Sequence, residues 1–146
     1  MVRVVSAYAM GVIVAFVLGA IIGTQTVLYS VQSMGLTISW ESRLSATASD
    51  LLGLTTSILP LMALALIAGW ALVDWSSGRA GRYRYASTFV MTGATCILAM
   101  HLLLSLLFGV DAFAPARTPL GLMGQIFAGA AGGLCFATVR LPKGRQ

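Results

Sequence analysis

Apolar residues in this chain gather into four long uncharged runs, at about 5–33, 51–73, 86–108 and 119–139, separated by short stretches that hold the charges. A helix needs roughly 20 predominantly apolar residues to cross a bilayer, so each run is long enough alone. The hydrocarbon interior offers no water to unpaired backbone groups, so the runs are expected to be helices. The intervening stretches, about 35–50, 74–85 and 109–118, are too short for a separate domain and favour antiparallel neighbours. The expected architecture is an all-α membrane protein, a single four-transmembrane-helix bundle over residues 1–146.

The first run stays uncharged from Val4 to Gln32, beyond the usual signal-peptide core, and is read as an uncleaved span. In "TISWESRLSATASD", Ile38, Trp40 and Leu44 stand among polar residues, which suits a short helix lying on the outer leaflet. "SATASD" places Asp50 at the expected mouth of the second span, where a carboxylate can cap helix N–H groups. Thr118 and Pro119 make an N-cap and first turn for the fourth span.

Composition sharpens this picture. Hydrophobic residues make up 58% of the chain and charged ones only 9%, a balance no soluble domain of 146 residues could bury. The net charge of +5 raises nucleic acid as a partner, but the charges punctuate apolar runs instead of forming a water-facing patch, so none is expected. They act as topology signals. Seven of the nine Lys and Arg residues (Arg3, Arg79, Arg82, Arg84, Arg140, Lys143 and Arg145) fall on one side and two, Arg43 and Arg117, on the other, so both termini are expected in the cytoplasm. Trp40, Trp70, Trp75, Tyr83 and Tyr85 flank the runs as interfacial anchors. Cys96 and Cys135 lie at different depths with no C-x-x-C pair, and read as small buried hydrophobes.

Small residues carry the clearest motif. Ala7, Gly11, Ala15, Gly19 and Gly23 recur every fourth position in the first span. In the fourth, Gly121, Gln125, Gly129, Gly133 and Ala137 form one row, and Gly124, Ala128 and Gly132 another. Such ridges let helix backbones approach closely in lipid. Two rows on one helix exceed what one neighbour requires, which favours self-association over packing within one bundle.

Uncharged polar groups supply a candidate site. Gln25, Thr56, His101 and Gln125 fall roughly 8–12 Å below the expected outer surface, one on each span. Pro60 would free the Thr56 carbonyl at the same depth. Arg43, Asp50 and Arg117 stand above as a mouth, Arg117 stapling the loops to Asp50 or Asp111 or clamping an anion. An outward-opening polar pocket is one outcome; interhelical hydrogen bonding is the other and the favoured one. His101 has no companion for metal or haem and is expected to be satisfied and neutral. No metal or cofactor is expected, although bound lipid suits such a chain.

The blocks "RLSATASDLLGL" and "ARTPLGLMGQIFAGAAGG" resemble small four-span inner-membrane proteins of proteobacteria, a group that brings no activity with it. The resemblance implies a bacterial inner membrane. The leading functional expectation is a non-enzymatic subunit that self-associates or joins a larger membrane complex through its first and fourth spans. A channel or carrier for a small polar solute or proton is the alternative. A lipid- or quinone-binding enzyme ranks below both, because no nucleophile and base stand at recognisable spacing.

Overall fold

The computed structural model describes residues 2–76, 85–109 and 114–140, with side chains described for 3–76, 86–109 and 114–140. Among them there are five α-helices, one 3-10 turn and no strand: α1 (Val2–Ser33), α2 (Trp40–Thr55), α3 (Ile58–Ser76), α4 (Tyr85–Phe108), the turn Ala114–Arg117, and α5 (Pro119–Arg140). Four of them, α1, α3, α4 and α5, are long and apolar enough to cross a membrane. The expected charge-bearing linker with Arg79, Arg82, Arg84 and Tyr83, the tail with Lys143 and Arg145, and Asp111 lie outside the described residues.

The second span differs from the sequence expectation. It was expected to open at 51, but a polar helix, α2, occupies 40–55 and α3 begins only at Ile58. Pro60 explains the break. A helix running through 51–73 would lose the hydrogen bond from residue 60 to the Thr56 carbonyl and drive the proline ring into it. Starting at Ile58 puts Pro60 in a first turn, where an N–H has no intrahelical partner anyway. Thr55 and Thr56 reinforce the stop by turning their hydroxyls onto the Leu51 and Gly53 carbonyls, at 2.6 and 3.3 Å.

Ser39, not Asp50, caps α2: its extended backbone presents Oγ to the N–H of Ser42 at 3.2 Å. The serine-, threonine- and alanine-rich run that follows contains no breaker before Gly53, so the helix continues past the 37–50 segment expected for it. Asp50 therefore sits well inside the helix. At the fourth span the expected start holds, with the Gly121 N–H donating to Thr118 Oγ1 at 3.1 Å and Pro119 as first residue.

α5 is the centre of the molecule, with Gly121, Gln125, Ala128, Gly129, Gly132, Gly133, Phe136 and Ala137 all buried. Its two small-residue rows are divided between two neighbours of the same chain. A Cβ on Gly132 would lie 2.6 Å from the Gly11 carbonyl and 2.8 Å from the Ala15 Cβ, so that flank belongs to α1. A Cβ on Gly129 would lie 2.5 Å from the Gly93 carbonyl, and one on Gly133 would collide with the Phe89 carbonyl, so the other flank belongs to α4. The α1 ridge is buried throughout, Gly11 also making room for the Trp70 ring and Gly23 for Pro115. The surplus row that favoured a second subunit is thus taken by α4.

Beside this sandwich, Trp70 of α3 stacks on Phe136 at 4.9 Å, with Tyr8 and Phe89 each 4.7 Å from Phe136. Trp70 is fully buried, not an interfacial anchor, and its indole N–H has no hydrogen-bond acceptor among the described residues. Trp40 and Trp75, by contrast, are exposed. Cys96 is free and half-buried, seated over Gly69 where α3 meets α4, and Cys135 is likewise free and half-buried.

Candidate functional site

The polar residues expected at one depth do not form one set. Gln125, 1% exposed, reaches across to α1, its Nε2 donating to the Gly19 carbonyl at 2.8 Å. Gly19 and Gly23 make this contact feasible, since a Cβ at either would press on the Gln125 amide. His101 is also buried, but its Nδ1 donates to the Ile97 carbonyl of its own helix at 2.9 Å, which fixes the proton on Nδ1. Thr56 is exposed at the α2–α3 break. It is not a pocket residue beside Gln125, because Pro60 ends the helix that would have carried it there.

Gln25 belongs to a different constellation, built where α2 lies along the last third of α1. Arg43 Nη1 donates to Gln25 Oε1 at 2.8 Å and Nη2 to Gln32 Oε1 at 2.7 Å. Gln25 Nε2 in turn donates to Thr47 Oγ1 at 3.1 Å, and the Thr47 hydroxyl donates to the Arg43 carbonyl at 2.8 Å. One turn away, the single hydroxyl hydrogen of Thr24 is shared between its own Ala20 carbonyl at 2.8 Å and Asp50 Oδ2 at 2.7 Å. Arg43, Thr47 and Asp50 are spaced i, i+4, i+7 and so occupy one stripe of α2, facing Thr24, Gln25 and Gln32 of α1. Arg43 and Asp50, expected as the mouth of a pocket, are two halves of a helix-to-helix seam. Arg117 closes the 3-10 turn and is exposed.

The turn itself has a packing role. Pro115 is buried between Gly23 of α1 and Gly121 of α5, each of which would strike it if it carried a Cβ. An open depression of about 430 Å³, lined by Glu41, Ser42, Ser45 and Ala46, lies on the flank of α2 away from the seam.

At the opposite end, Arg140, the last residue of α5, meets Asp74 in the last turn of α3. Nη2 lies 2.6 and 2.7 Å from the two carboxylate oxygens and Nε 3.1 Å from one of them. Arg3 Nε donates to the Val139 carbonyl at 3.0 Å, tying α1 to the same end. Sequence reasoning placed Asp74 in a linker and missed this pair. The available signal was an acid at the end of an apolar run, which needs a partner at a membrane boundary.

No family model, curated protein or solved structure matches this chain.

Proposed function

We propose that this chain is a non-enzymatic, multi-pass protein of a bacterial inner membrane that works by assembly, with copies of itself or as a subunit of a larger membrane complex. The observation that carries this reading is where the polar side chains go. Gln125, Gln25, Arg43, Thr24, Asp50, Asp74 and Arg140 are bound from helix to helix, the use expected of structural polar groups in a membrane bundle. For the carrier reading the geometry supplies no convergent set, as Gln25, Thr56, His101 and Gln125 make separate contacts.

Topology follows from register and charge. Gly11 meets Gly132 and Gly19 meets Gln125, while Gly93 meets Gly129 and Phe89 meets Gly133, so α5 runs antiparallel to both α1 and α4. Arg3, Asp74 and Arg140 share one end, and the Arg- and Lys-bearing segments continue from it. The positive-inside rule assigns that end, and both termini, to the cytoplasm. α1, with 32 residues, is about 48 Å long against roughly 30 Å of hydrocarbon, so its last third and α2 stand at the outer headgroup level.

Because α1 and α4 occupy the glycine rows of α5, a copy or partner meets the bulky outer faces of α3 and α4, where Leu64, Leu72, Leu103, Leu106 and Leu107 are exposed. Native mass spectrometry in mild detergent, with crosslinking in the intact membrane, tests this. A defined oligomer or a constant partner is expected; a partnerless monomer by both methods would overturn it.

A further inference from the structure

Arg43 is held unlike Arg140 at the opposite end of the helices. Arg140 is bidentate on a carboxylate. Arg43 is oriented by two neutral amide oxygens, Gln25 Oε1 and Gln32 Oε1, and among the described residues no carboxylate lies within ion-pair distance of it. Asp50 is two turns along the same stripe and engaged by Thr24, and Glu41 lies on the far side of α2. A guanidinium has five N–H donors, of which two are committed here. Its full charge is therefore steered into place but not neutralised, in the first turn of a capped helix, where the dipole also favours an anion.

The neighbouring stripe says what kind of anion fits. Trp40, 82% exposed, and Leu44, 72% exposed, are spaced i, i+4 and form the row of α2 next to that of Arg43. An indole and an isobutyl group beside an uncompensated guanidinium at headgroup level match a molecule with a phosphate next to glycerol and acyl carbon.

We propose that Arg43, preset by Gln25 and Gln32, binds the phosphate of an outer-leaflet phospholipid, with Trp40 and Leu44 against the glycerol and first acyl carbons. This rests on the four-span reading above, which places the α1–α2 hairpin at the outer surface. The site joins the hairpin to the bilayer by a charge-assisted contact, so α2 is held from both sides, by α1 through its polar stripe and by lipid through the row beside it.

The test titrates the full-length chain, purified in mild detergent, with phosphatidylglycerol and reads bound lipid by native mass spectrometry. Arg43→Gln keeps a hydrogen-bonding side chain but removes the charge, and is expected to weaken retention about tenfold or more. Arg43→Lys, which keeps the charge, should retain lipid better than Arg43→Gln. Excess inorganic phosphate should fail to displace the lipid; displacement would assign the site to the free ion and overturn the lipid assignment. Equal lipid retention by wild type and Arg43→Gln, or equal loss in Arg43→Gln and Arg43→Lys, would also overturn it. Amide exchange across residues 40–55 reports whether the hairpin still folds in each variant. Failure of the chain to sediment with membranes would instead overturn the four-span reading itself.

Discussion

Single positions separate glycines that are structural from those that are not. Gly133 has the Phe89 carbonyl and Val90 Cα where a Cβ would go, whereas Gly53 has nothing within 4 Å. Gly133→Ala should therefore destabilise the chain by about 1–3 kcal/mol through overpacking. Gly53→Ala, in an ordinary exposed helix, should stabilise it by about 0.5–1 kcal/mol. Thermal unfolding in detergent compares the two, and a loss at Gly53 matching that at Gly133 would refute the distinction. Gln125→Leu removes one interhelical bond while the Gly19 carbonyl stays in the α1 ladder, so the expected cost is about 0.6–2 kcal/mol in the same assay. That Gln125 matters was legible in its place within a glycine row. That its partner is a backbone carbonyl was not, because any of three neighbouring helices could have supplied an acceptor.

Among the elements, α2 has the least packing, with no buried residue of its own. It is held by the polar stripe Arg43, Thr47 and Asp50 and by partial contacts of Leu51 and Leu54. Thr24→Val keeps the shape of the α1 side chain and removes the bond to Asp50. Amide exchange should then quicken across 40–55 while α5 is unchanged, and a matching rise in α5 would show that the hairpin is not a separate unit. The sequence suggested a short surface helix within residues 37–50 and opened the next span at 51, whereas α2 runs from Trp40 to Thr55. A hydropathy window registers average polarity, so residues 51–55 group with the apolar run after them; the Ser39 cap and the Pro60 stop show where the helix runs.

Across the whole molecule, the two ends are secured differently. The end where α2 lies along α1 relies on bonds from Arg43 and Asp50 to amides and hydroxyls and on the wedge of Pro115; the other end relies on the Asp74–Arg140 pair, whose side chains are about a quarter exposed. A double-mutant cycle with Asp74→Asn and Arg140→Gln should give a coupling of about 1 kcal/mol, as expected for a bidentate pair at partial exposure. A coupling near zero would mean that α3 and α5 are joined by their apolar contacts alone, such as Trp70 on Phe136.

The sequence by itself determined that four helices can cross a membrane, because burial in hydrocarbon depends on run length and polarity, both of which are local properties. It likewise determined that α5 would touch more than one neighbour, since two glycine rows are a property of one helix surface. Tertiary structure decided which neighbours those are, and it split the apparent polar layer into a seam, a single interhelical bond and a self-bonded histidine. Depth along a helix follows from counting residues, but the direction in which a side chain meets its partner depends on how the helices rotate against one another. That rotation is set by the glycine contacts between helices distant in the chain, which no single segment encodes.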